Sequence, residues 1–156
     1  MSTEPVPIDT SEEGLSSLLA RFESCTIKEA EWTHEAHVLV ALKYVLGSPD
    51  PLGNMRDGIH KLLASQGIVT TEMRGYHETI THCFVAAIWD HIQSERKRHP
   101  GVALKPSDLA DSVLKLATRE LPLSYYSREL LFSSPARFGF VAPDIRPLPA
   151  LPLASL

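Results

Sequence analysis

The sequence predicts an all-α fold: an up-and-down helical bundle of about five helices with an extended Pro-rich C-terminal tail. Apolar residues recur at helical spacing in five segments, and Gly or Pro residues separate these segments by short connections. No segment alternates polar and apolar residues for long enough to found a sheet. Short connections also predict that consecutive helices run antiparallel.

The first two helices have clear start signals. The segment from Thr10 to Glu13 matches a capping box, and leucines at helical spacing follow it. The second helix is expected from Thr33, as N-cap, to about Leu46, with Gly47 as its stop. Its apolar residues point in most directions, which predicts a position at the centre of the bundle.

Apolar periodicity with start and stop residues predicts three further helices, and residues 125–132 are expected to add one or two helical turns. The expected limits are Asn54 as N-cap and Gly67 as stop for the third helix, about Gly75 to Arg98 for the fourth, and Ser107 to Pro122 for the fifth.

The chain of 156 residues predicts a single domain. Residues 1–10 are expected to be a flexible lead-in, residues 11–134 the bundle, and residues 135–156 an extended tail packed on it. Several prolines among apolar residues indicate the extended tail.

Composition and charge narrow the class of protein. The net charge is −4 and no block of basic residues stands out, so nucleic acid is not an expected partner. The two cysteines, Cys25 and Cys83, form no metal-type pair and fit a reducing compartment. The first residues lack the features of a signal peptide, and no apolar run is long enough to span a membrane. We therefore expect a cytoplasmic protein that does not bind membranes.

The seven histidines include a group that indicates a functional site. His34 and His37 are one turn apart on the inward face of the second helix. His77 shares the inward face of the fourth helix with Ile80. Antiparallel neighbours make the second and fourth helices parallel, so all three imidazoles are expected at one end of the bundle. Three such rings are a common ligand set for zinc or iron, with a fourth position left open.

Two other interpretations are also open. The histidines could line a metal-free pocket for a small anionic ligand, with Tyr76, Tyr126 and Arg128 as ligand-binding residues. Alternatively, the protein could be an interaction protein without catalysis, with the tail as its docking element; a homodimer is compatible with this. Any single histidine could also be a buried cap that hydrogen-bonds to a carbonyl.

The sequence assigns no catalytic residue and leaves open whether the protein is an enzyme. It contains neither a nucleophile elbow nor a glycine-rich phosphate loop. On the metal interpretation, the protein would be a metal-dependent enzyme that acts on a small molecule, and Glu35 or Glu78 would orient a ligand or move a proton.

The short sequence motifs around these histidines resemble motifs in other proteins. The chain resembles a group of short uncharacterised bacterial proteins that share a Trp-Thr-His-x-Ala-His phrase, a Tyr-His-Glu-Thr phrase and a later Tyr-Tyr-Ser stretch, here residues 32–37, 76–79 and 125–132. It is loosely similar to the DinB/YfiT-like metal-binding bundles. That second resemblance implies a helical bundle holding a divalent metal by three histidines. In that family a lone histidine precedes a His-x-x-x-His pair, whereas here the closely spaced pair comes first.

Overall fold

All regular secondary structure in the computed structural model, which describes residues 7–152, is helical, so the all-α prediction is confirmed. Residues 1–6 of the expected lead-in and 153–156 of the expected tail lie outside this range. The helices are α1 (Glu12–Glu23), α2 (His34–Gly47), α3 (Pro51–Ser65), α4 (Glu78–Arg98), α5 (Pro106–Leu116), α6 (Arg128–Leu131) and α7 (Ser134–Phe138), with 3₁₀ turns at Glu29–Glu31 and Leu121–Ser124.

Helix α2 is the centre of the bundle, as its apolar pattern predicts. It contacts α1, α3, α4 and α5, and most of its residues are buried. The hydroxyl of Thr33 caps it by accepting the backbone N–H of Ala36 at 3.2 Å. This start is the predicted one, and it fixes His34 and His37 in the first two turns of the helix.

Helix α3 begins earlier than the sequence predicts, and Asn54 is not its N-cap. The carboxylate of Asp50 caps it by accepting the backbone N–H of Gly53 at 3.1 Å. Pro51 occupies the first helical position, where a missing N–H costs nothing. Asn54 lies inside the helix, and its side chain accepts a hydrogen bond from the hydroxyl of Ser48. The prediction placed the start of this helix too late because it did not consider Pro51 as a first helical residue.

Helix α4 begins at Glu78, later than the predicted start near Gly75. Gly75 has a φ of +100°, in the region that favours glycine, so the chain turns there before the helix starts. His77 is the N-cap of α4. Helix α5 ends at Leu116, before the predicted stop at Pro122, which instead lies in the second 3₁₀ turn.

The segment after α6 is partly helical where an extended tail is expected. Helix α7 occupies its beginning, capped by the hydroxyl of Ser133. Beyond Gly139 the described chain has no regular structure, but Val141, Leu148 and Leu151 are partly buried against the core. In the part of the chain that is described, no helix is both long enough and apolar enough to cross a membrane.

Candidate functional site

A cavity of about 330 Å³ lies between α2, α3 and α4, beside the start of α2. We call it the histidine cavity. Most of its wall is apolar, and its polar residues come from the first turn of α2, the first turn of α4 and the segment after α5. The lining residues are Trp32, Thr33, His34, His37, Val38, Ala41, Met55, Ile59, Ile80, Thr81, Phe84, Val85 and Arg119.

His34 and His37 line this cavity in opposite tautomers. Nε2 of His34 lies 2.7 Å from the carbonyl oxygen of Ala117, and Nδ1 of His37 lies 2.8 Å from that of Thr33. A carbonyl oxygen only accepts, so each of these ring nitrogens must carry the proton. In the neutral rings, Nδ1 of His34 and Nε2 of His37 therefore keep a free lone pair.

His37 is held neutral by its surroundings. Burial lowers its pKa from 6.5 to about 4, and the carbonyl of Thr33 opposes this shift only in part. The positive charge of Arg119 lowers the same pKa further. Its ring packs on Trp32 with centroids 3.8 Å apart, and Trp32 stacks on Phe22 with centroids 4.7 Å apart. This stack gives the cavity one rigid aromatic side.

His77 does not line the histidine cavity. Its Nε2–H donates to the carbonyl of Leu131 at 2.7 Å, and its Nδ1 accepts the backbone N–H of Ile80 at 3.1 Å. Both ring nitrogens are thus engaged with the backbone, as in the buried-cap interpretation. Burial lowers the pKa of His77, which keeps the ring in the neutral form that this pair of bonds requires.

The structure therefore brings two of the three predicted metal ligands to one cavity and leaves the third elsewhere. Among residues 7–152, no three His, Cys, Asp or Glu side chains are grouped so that they could hold a metal ion. The start of α2 meets α4 about two turns beyond the N-cap of α4, since the rings of His34 and Phe84 are 5.2 Å apart. His77 precedes Phe84 by seven residues, so it lies about 10 Å from Phe84 toward the N-terminal end of α4.

Arg119 is the cationic group of the histidine cavity, and sequence reasoning missed it. It is exposed, and it follows α5 in the segment whose Ala117 carbonyl binds His34. The hydrogen bond between His34 and the carbonyl of Ala117 brings the chain after α5 to the start of α2. Trp32, Thr81 and Phe84 were also missed as lining residues, although Trp32 belongs to the Trp-Thr-His-x-Ala-His phrase.

The three predicted ligand-binding residues lie apart from this cavity. Tyr76 lines a second cavity, and its hydroxyl donates to the carboxylate of Glu78 at 2.8 Å. Tyr126 is fully buried, and its hydroxyl donates to the carbonyl of Val141 at 2.6 Å, so it seals the fold. Arg128 is exposed at the start of α6 and lines neither of these cavities.

The fold and the site define an all-α protein with a mainly apolar cavity that carries two imidazoles and one guanidinium. Comparison with models of known families, with curated proteins and with solved structures gave no significant match.

Proposed function

We propose that the protein binds a small, mainly apolar organic acid in the histidine cavity. The apolar part of the ligand packs between α2, α3 and α4, and its acidic group lies at Arg119. The observation that carries this proposal is the combination of an apolar cavity with a single cationic side chain at its wall. Ligand sites commonly have this composition, in which apolar walls supply affinity and a few polar groups fix the orientation.

The size of the cavity suits a ligand of modest length. A cavity of about 150 Å³ holds benzene, and this one has about 330 Å³. A chain of roughly eight carbons or a fused pair of rings matches that volume. The walls on which it would pack include Val38, Ile59 and Val85, whose side chains are nearly fully buried.

Charge favours an acid over a base in this cavity. No carboxylate is among its lining residues, and within residues 7–152 Arg119 makes no ion pair. The start of α2 at Thr33 adds the positive end of a helix dipole at the same place. An ammonium group would meet Arg119 and this dipole, both of which oppose it.

The test is a titration with three ligands that share one chain and differ in head group: octanoate, 1-octanol and octylammonium. Trp32 lines the cavity and reports binding by fluorescence when Trp89 is replaced by Phe. We expect octanoate to bind most tightly, octanol more weakly and octylammonium least. Arg119→Met should reduce octanoate affinity to the level of octanol, and Arg128→Met is the matched control that should change nothing.

Three results would contradict the proposal. One is the absence of saturable binding by any of the three ligands; another is equal binding of octanoate and octylammonium. The third is an equal loss of octanoate affinity in Arg119→Met and Arg128→Met, which would indicate general surface charge.

Metal binding by His34, His37 and His77 stays a prediction. It requires His77 to give up a bond to Leu131 or to Ile80 and to move toward the other two rings, whereas the organic-acid proposal uses the side chains where they lie. Metal analysis of the purified protein, and the change in Tm on adding zinc or EDTA, tests it. A stoichiometric metal whose removal lowers Tm would favour the metal site over the organic-acid site.

A further inference from the structure

A second cavity of about 580 Å³ lies between α3, the beginning of α4, and α7 with the chain that follows it. We call it the arginine cleft, and the residues that define it are Arg56, Tyr76, Glu78, His82, Arg137 and Phe140. It shares no lining residue with the histidine cavity. Its chemistry is also different, because its polar wall consists mainly of hydrogen-bond donors.

Each arginine of the cleft uses only some of the nitrogens of its guanidinium group for hydrogen bonds to the protein. Arg56 donates from Nε and Nη2 to the carboxylate of Glu78, which is itself 9% exposed. Arg137 donates from Nη1 to the carbonyls of Gly75 and Tyr76, at 3.2 Å each. Within residues 7–152, Nη1 of Arg56 and Nε and Nη2 of Arg137 have no partner, so oriented N–H donors remain free.

Aromatic rings form the other walls of the cleft. The rings of His82 and Phe140 stack with centroids 4.2 Å apart, and those of His60 and Tyr76 lie 4.4 Å apart. Phe140 is 48% exposed although it is a large apolar residue, so part of its surface is open to a ligand. Flat ligands pack well on such faces.

The charge of the cleft is positive. Two guanidinium groups face one carboxylate, and burial lowers the pKa of His82, which is neutral at pH 7. A guanidinium matches the planar geometry of carboxylate and phosphate oxygens and binds them by paired hydrogen bonds. Charge and geometry therefore both favour an oxyanion.

We propose that the arginine cleft binds a planar aromatic ring that carries an oxyanion, either a phosphate or a carboxylate. The oxyanion accepts hydrogen bonds from Arg137 and Arg56, and the ring packs against Phe140. Glu78 positions Arg56 and does not contact the ligand.

The experiment is a calorimetric titration of the whole chain with phenyl phosphate and with benzoate, accompanied by NMR spectra that locate the binding site. Inorganic phosphate and phenol are the half-ligand controls. We expect at least one aryl oxyanion to bind more tightly than either half-ligand and to shift the resonances of residues 137–140. Arg137→Gln should weaken this binding about tenfold, as the loss of a charged hydrogen-bond pair predicts.

Two further variants keep the test decisive. Phe140→Leu retains an apolar, exposed side chain, and we expect it to weaken phenyl phosphate a few-fold while inorganic phosphate is unaffected. Arg128→Gln removes an exposed charge outside the cleft and should change neither ligand. Octanoate binding in the same variants reports the histidine cavity, so the failure of one site is distinguished from the failure of the other.

The proposal is overturned if inorganic phosphate binds as tightly as phenyl phosphate, because the ring would then contribute nothing. It is also overturned if Arg128→Gln weakens binding as much as Arg137→Gln, or if neither aryl oxyanion shows saturable binding. Binding that shifts resonances around His37 instead of Phe140 would place these ligands in the histidine cavity and would also overturn it.

Discussion

His37 donates its Nδ1–H to the carbonyl of Thr33 at 2.8 Å, so the residue that caps α2 also fixes the tautomer of the imidazole one turn later. The bond points the protonated nitrogen toward the backbone and leaves the other nitrogen of His37 with its lone pair. Because folding partly buries this ring, its protonation should make the stability of the protein depend on pH.

The stability of the protein should fall between pH 7.5 and pH 5 because of His37. Its folded pKa of about 4 is below its ordinary value of 6.5. The unfolded chain therefore takes up a proton in this range that the folded chain does not, and stability is lost as the pH falls. At pH 5 the loss from this residue amounts to at most about 2 kcal/mol.

Urea unfolding of the wild type and of His37→Asn at both pH values tests this. The amide of Asn can replace the bond to Thr33 without titrating. The variant should therefore lose less stability than the wild type on acidification. His77 and His82 also have lowered pKa values, but they act in both proteins alike. Parallel pH profiles for the two proteins would contradict the assignment of the shift to His37.

Glu78 should stabilise the junction of α3 and α4. Burial opposes its ionisation, but hydrogen bonds from Arg56 and Tyr76 outweigh this and hold its pKa below the ordinary 4.5. We expect Glu78→Gln to cost about 2 kcal/mol and Tyr76→Phe about 1 kcal/mol at pH 7. The loss for Glu78→Gln is modest because the side chain of Arg56 is 43% exposed and solvent screens the ion pair.

A double-mutant cycle on Glu78 and Tyr76, read by urea unfolding, measures their coupling. A favourable coupling of about 1 kcal/mol is expected for groups joined by one charged hydrogen bond. Strict additivity of the two losses would show that the bond contributes nothing to the folded state. The losses should also shrink as the pH falls below 4.5, because the stabilisation needs the ionised carboxylate.

Gly58 in α3 should not tolerate alanine, although alanine is the better helix former. A Cβ at this position would collide with the ring of Phe22, which is fully buried. We expect Gly58→Ala to lose about 1–3 kcal/mol through overpacking. Gly47→Ala, at the last residue of α2, is the control, because nothing lies within 4 Å of its added Cβ. Thermal unfolding should give a lower Tm for the first variant and an unchanged or higher Tm for the second; two similar shifts would count against the predicted collision.

His77 should act as a cap and not as a free imidazole. Asparagine at this position can still accept the N–H of Ile80, whereas alanine cannot. We expect His77→Ala to be about 1 kcal/mol less stable than His77→Asn. Both variants lose the bond to Leu131, so the difference isolates the cap. Equal stabilities in urea unfolding would refute a capping role.

The sequence predicted the central helix and its two cavity histidines because both depend on local information. A threonine cap fixes the start of α2, and helical periodicity then puts His34 and His37 on the same side. The position of the His77 side chain depends instead on a contact with a residue far away in the sequence. His77 is the N-cap and therefore lies just outside the helix. Its side chain hydrogen-bonds to the backbone of Ile80 and Leu131 instead of lying on the inward face of α4.

Arg119 shows the other limit of sequence reasoning. It belongs to a short connection whose conformation is set by a contact 83 residues away in the chain, between Ala117 and His34. No periodic pattern marks such a residue. The same applies to the arginine cleft, where Arg137 and Tyr76 meet only because α7 packs on α4.

The most direct test of the proposed function is an NMR structure of the octanoate complex, based on nuclear Overhauser contacts between ligand and protein methyl groups. We expect contacts from the octanoate chain to Val38, Ile59 and Val85, with the carboxylate end near Arg119. Contacts confined to the arginine cleft or to the exposed surface, with none to these three residues, would contradict it.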